Sequence, residues 1–183
     1  MAIDLDAIIA RIQQGQTTQK SPPVHSWHPA YSGEIDIIID ENNDWLHEGS
    51  RFQRQSLVKL LSSILRKDDD GYYLVTPAEK LKITVEDVPF KIISMIDSPQ
   101  APLQLVSNVE DIITLDKSAN WQLRDYHGTT VPYVEVRDGL FARIDRPVYY
   151  RMVDMADIHE SDGRSECVLQ SAGESFVLGD ING

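Results

Sequence analysis

One cysteine in 183 residues, Cys167, rules out an intrachain disulfide as the scaffold of the fold. It falls in the apolar run Cys167-Val168-Leu169, where a thiol acts as a small inert hydrophobe, so no catalytic role is assigned to it. Long hydrophobic runs are missing too. No stretch approaches the roughly 18 consecutive apolar residues of a membrane helix. The start, Met1 to Asp6, has neither the basic opening nor the apolar run of a signal peptide, so a cytoplasmic protein is expected. Positive charge is also scarce. Against 29 acidic residues stand 17 Lys and Arg, a net charge of −12 that works against general DNA or RNA binding, which depends on cations displacing condensed counterions.

Familiar signatures of chemistry are absent as well. The chain has no phosphate-binding P-loop, no Gly-x-Gly-x-x-Gly, no Gly-x-Ser-x-Gly elbow and no His-Glu-x-x-His. Asp40, Asn42 and Asp44 begin like a calcium loop, but Trp45 stands where glycine must turn it and Arg51 where the bidentate acid belongs. Asp68 and Asp70 fail similarly, with Arg66 at the first ligand position. His25 and His28 have no nearby thiol or acid to complete a zinc set. Neither a metal nor a cofactor is expected. His47-Glu48 could bracket a proton transfer, yet neighbours on a strand point to opposite faces.

What is present is a pattern of short elements. Leu5, Ile8, Ile9 and Ile12 share one helical face, predicting an amphipathic helix over 3–14, and the prolines at 22, 23 and 29 predict an extended arm after it. Ile35 to Ile39 and Trp45 predict a hairpin around Asn42-Asn43. Leu57, Leu60, Leu61 and Ile64 predict a second helix that stops at Asp68-Asp69-Asp70-Gly71. Strands follow at 72–76, 81–85, 90–96, 103–106, 112–115, 121–126, 133–136 and 140–144. Tyr149, Met152, Val153 and Ala156 mark a third helix, and strands at 167–169 and 175–178 close the chain.

The order of hairpin, helix, strand, strand thus occurs twice. A shift of 92 residues superposes Arg51 on Arg143, Arg54 on Arg146, Asp70 on Asp162 and Gly71 on Gly163 without a gap, with the helical faces in phase. The expected class is α+β: two similar β-rich lobes from internal duplication, with an arm over 1–29, a first lobe over 30–100 and a second over 101–183. Clefts between lobes favour small ligands, which makes the seam the default site. The stretch from Gly49 to Lys67 carries Arg51, Arg54, Lys59, Arg66 and Lys67 and no acid. Arg54 and Arg146 are each expected at a helix entrance, where unpaired N–H groups and the helix dipole favour an anion. The competing reading has each arginine packing its stem locally and pairing with an acid.

Trp27-His28-Pro29, Gly33-Glu34-Ile35-Asp36, Trp45-Leu46-His47-Glu48-Gly49, Asp70-Gly71-Tyr72-Tyr73-Leu74-Val75-Thr76-Pro77, Val85-Glu86-Asp87-Val88-Pro89-Phe90 and Gly139-Leu140-Phe141-Ala142-Arg143 together resemble the bacterial domain of unknown function 1285 family over roughly 27–179. The resemblance implies a duplicated β-rich core, a second half loosely similar to pleckstrin-homology-like domains, and a ligand site where the lobes meet. It also implies a nucleotide-like ligand and a signalling role, but no activity. The polar residues matching the family's shared set are Trp45, His47, Arg54, Arg66, Tyr73, Thr76, Asn108, Arg137 and Arg146. Ser107-Asn108 departs from an expected Thr-Asn while keeping the hydroxyl. The leading expectation is a cytosolic module binding an anionic, nucleotide-like small molecule. Its rivals are a hydrolase or transferase using His47 with Glu48 or Glu86, and a protein-interaction module.

Overall fold

Alternation of buried and half-exposed residues in Ile35-Asp36-Ile37-Ile38-Ile39 builds β1 (Tyr31–Ile39), which turns through Asp40–Asp44 into β2 (Trp45–His47) and β3 (Ser50–Arg51). The Asp40 carboxylate closes that turn by accepting the N–H groups of Asn42 and Asp44, both at 2.9 Å. This computed structural model describes residues 9–10, 22–161 and 163–181. Ile9 and Ala10 are helical, and the rest of the helix expected over 3–14 lies outside the described residues. The arm is not extended throughout: a 3-10 turn spans Val24–Ser26, and Val24 is buried. Among the described residues no helix is long and apolar enough to cross a membrane.

Helix α1 (Gln55–Ser63) follows, burying Val58, Leu60, Leu61 and Ser62. It stops earlier than its sequence suggests. Ile64 caps it, and Leu65 already begins β4 (Leu65–Asp68), which pairs antiparallel with β5 (Gly71–Val75) from Leu65↔Leu74 to Asp68↔Gly71. Asp69-Asp70 is therefore a hairpin turn and not a helix stop. Strand β6 (Glu79–Val85) then pairs with β5 and, in parallel, with β1, so the first sheet runs β3-β2-β1-β6-β5-β4.

A second compact unit starts at Val88, so the units divide between Asp87 and Val88 and not at 100/101. The reason is β7 (Phe90–Ser98). It pairs antiparallel with β8 (Ala101–Ser107) and parallel with β12 (Leu140–Ile144), at the centre of the sheet β10-β11-β12-β7-β8-β9. The remaining members are β9 (Ile112–Thr114), β10 (Trp121–Tyr126) and β11 (Thr129–Arg137). Helix α2 (Arg146–Met155) leads into a separate sheet of β13 (Asp157–Ser161), β14 (Arg164–Ser171) and β15 (Glu174–Asp180).

Among the described residues both units are mostly β, with α1 in the first and α2 in the second. The 92-residue shift carries the end of α1 at Ser63 onto the end of α2 at Met155, and β4 and β5 onto β13 and the start of β14. Pairing diverges after that. In the first unit the strands following the helix rejoin the hairpin through β1–β6, whereas in the second they form their own sheet and β7 takes the parallel place beside β12.

Candidate functional site

Leu57 and Tyr149, equivalent under the repeat, do not belong to the cores of their units. Each lines a cleft at the entrance of its own helix. The first cleft, about 730 Å³, is lined by His47, Ser50, Arg51, Phe52, Gln53, Arg54, Ser56, Leu57, Lys59 and Leu60, with Ile9. No acid is among them. Arg54 is the N-cap residue of α1, in extended backbone conformation, and makes no side-chain capping bond. Its carbonyl accepts from the Leu57 and Val58 N–H groups, the first intrahelical bonds of α1. The first turn holds no acidic residue either. The helix entrance thus presents the positive end of the dipole with no carboxylate in its first turn. The Arg54 guanidinium is exposed and engages no acid among the described residues, whereas Arg51 pairs with Asp44 at 2.6 Å. The His47 ring stacks on Phe52, centroids 6.2 Å apart, and has no carboxylate partner among the described residues.

The second cleft, about 420 Å³, is lined from β10 to α2 by Tyr126, His127, Thr129, Thr130, Arg143, Asp145, Arg146, Tyr149 and Tyr150, among others. Arg146 is the first residue of α2 and Asp145 its N-cap, so Arg54 and Arg146 differ by one place at their helix entrances. Asp145 makes no capping bond. Arg143 is buried, its guanidinium carbon 3.9 Å from the Tyr126 ring centroid.

The other candidates lie elsewhere and have tasks of their own. Trp45 is buried at 2% exposure. Its indole Nε1 has no hydrogen-bond partner among the described residues. Arg66 spends four N–H bonds at once: two on the Asp68 carboxylate at 2.9 and 3.0 Å, and two on the carbonyls of Val24 and Trp27, both at 3.0 Å. It fastens the arm to β4, and together with Lys80 it holds the Asp68 carboxyl below its ordinary pKa against the opposing effect of burial. Tyr73 donates to Asp70 at 2.6 Å beneath the Lys80 ammonium, 3.8 Å from its ring centroid. Thr76 Oγ1 accepts the N–H groups of Ala78 and Glu79 in the turn before β6. In the second unit, Asn108 Oδ1 accepts the Lys91 N–H at 3.1 Å, and Arg137 pairs with Asp111 over the Phe90 ring.

Of the nine sequence candidates, His47 and Arg54 share the first cleft, and Arg146 lines the second, in the other unit. Sequence reasoning passed over Ser50, Ser56 and the tyrosines 126, 149 and 150. The signal for Tyr149 was available, since the shift that matched Arg54 to Arg146 also matches Leu57 to Tyr149. Among the described residues no group of three or more His, Cys, Asp or Glu side chains is placed to hold a metal.

Comparison with known proteins places this chain in a family. The family model described as domain of unknown function (DUF1285), N-terminal domain, matches residues 22–88, and that of the C-terminal domain matches 89–178. The crystal structure of a DUF1285 family protein from Silicibacter pomeroyi DSS-3 is similar with a TM-score of 0.83 and 31% identity, covering 95% of this chain and 96% of that one. One from Shewanella baltica OS155 is similar with a TM-score of 0.53 and 27% identity, over 64% of this chain and 90% of that one. No curated protein matches the sequence. With two family domains spanning 22–178 and a relative matched along nearly its whole length, the chain belongs to the DUF1285 family.

Proposed function

We propose that the protein is a sensory binding module whose first unit holds a small anionic molecule, a phosphate or carboxylate of nucleotide-like size, at the entrance of α1. One observation carries this reading: the cleft combines a helix N-terminus that has no acid in its first turn with Arg54, Lys59 and His47, and is lined by no acid. In a chain of net charge −12, that concentration of donors and positive charge gives an anion one favourable place to settle. A volume of about 730 Å³ suits a small molecule. A pleckstrin-homology-like second unit would suit the same signalling role.

The enzymatic alternative has less support. His47 faces a phenyl ring, Glu48 sits in a left-handed turn at φ 49°, and the Glu86 carboxylate accepts the Glu41 backbone N–H at 3.0 Å. The test of the binding reading is a thermal-shift screen with inorganic phosphate, pyrophosphate, nucleotides and small carboxylates at fixed ionic strength. A ligand of the native state raises the melting temperature in proportion to its saturation. At least one anion should shift it, and a flat response across the panel would count against the reading.

A further inference from the structure

The two clefts occupy equivalent places in the duplication, yet their walls have diverged in a consistent direction. Where the first unit has Gln53, Gln55, Leu57 and Val58, the second has Asp145, Pro147, Tyr149 and Tyr150. Pro147 stands where the first unit has Gln55 and carries no N–H, so the first turn of α2 has one backbone donor fewer than that of α1. Asp145, lining the cleft beside Arg146, adds a negative charge that opposes a multiply charged ligand. The same changes add aromatic wall. Tyr149 and Tyr150 meet edge to face with centroids 6.1 Å apart, and Tyr126 and His127 do so at 4.3 Å. Tyr150 is 57% exposed, and the Arg143 guanidinium already covers Tyr126, where a ligand cation would otherwise sit.

We propose that the second cleft is a separate binding site for a planar aromatic molecule carrying a single negative charge, such as an aromatic carboxylate. The ring stacks against the tyrosine walls, where offset or edge-to-face contact adds to simple burial. The carboxylate meets the Arg146 guanidinium, which engages no acid among the described residues and can accept it through two parallel N–H bonds. About 420 Å³ accommodates one or two fused rings. This inference does not rest on the anion reading of the first cleft.

Indole-3-carboxylate is the probe, titrated into the full chain and followed by heteronuclear NMR. Saturable shifts should centre on 126–132 and 143–150, and neutral indole should bind about tenfold more weakly, as should indole-3-carboxylate to Arg146→Ala. Tyr150→Ala should weaken binding several-fold, whereas Arg54→Ala should leave the saturable shifts at 126–132 and 143–150 unchanged. Both substituted residues are exposed, so the variants should melt with the wild type. Inorganic phosphate should compete poorly, and Asp145→Asn should improve its competition. Absence of saturable binding, retention of affinity in both variants, or equal competition by phosphate would each overturn the proposal. The last outcome would make the cleft a plain second copy of an anion site.

Discussion

Tyr73 gives its hydroxyl hydrogen to the Asp70 carboxylate, and this bond, aided by partial burial, pushes its pKa up to about 12. The same bond holds Asp70 below its ordinary value. A phenol ionising near 10 when unfolded and near 12 when folded stabilises the fold below pH 10 and loses that contribution between about 10 and 12. In Tyr73→Phe that part of the alkaline destabilisation should disappear, as read by urea melts across the range. An unchanged alkaline limb would locate its cause elsewhere. Cys167 is 8% exposed, and burial pushes its thiol pKa up. A thiol reagent should therefore label native protein slowly and unfolded protein at once, whereas rapid native labelling would contradict the described burial.

At the scale of elements, β4 shows best what sequence could and could not tell. Leu65, Arg66 and Lys67 are good helix formers, and nothing local stops α1 before the aspartates. Pairing with β5 overrides that propensity. Once β4 is extended, Arg66 and Asp68, two residues apart, lie on one face and form the two-pronged pair that a helix would have kept on different sides. The basic island was legible as charge, but not the division of labour within it. Only the fold shows Arg66 tied to the arm and Arg54 left at a cleft. Arg66→Ala should cost about 1.5–3 kcal/mol, the usual worth of hydrogen bonds to a charged group, and should make 22–27 more susceptible to proteolysis. Unchanged stability would mean the arm is held by packing alone.

On the scale of the whole molecule, the duplication could be read from phase and turn position, because helices and hairpin turns are local signals. The divergence of the sheets could not, since the choice of β6 beside β1 and of β7 beside β12 is made between strands far apart in the chain. The same blindness put the boundary at 100/101. Because β7 joins β8 to β12, a fragment covering 88–183 should keep a native-like β circular dichroism spectrum. One covering 101–183, with two strand edges bared, should aggregate. Equal solubility of the two would refute that role for β7.

If the entrance of α1 holds an anion, Arg54 is the side chain that should bind it. Calorimetric titration of pyrophosphate into wild-type protein, Arg54→Ala and Arg146→Ala at fixed ionic strength tests it most directly. Arg54→Ala should lose about 1.5–3 kcal/mol of binding free energy while Arg146→Ala binds as the wild type does. Equal affinity of Arg54→Ala and wild type, with unchanged circular dichroism, would contradict it.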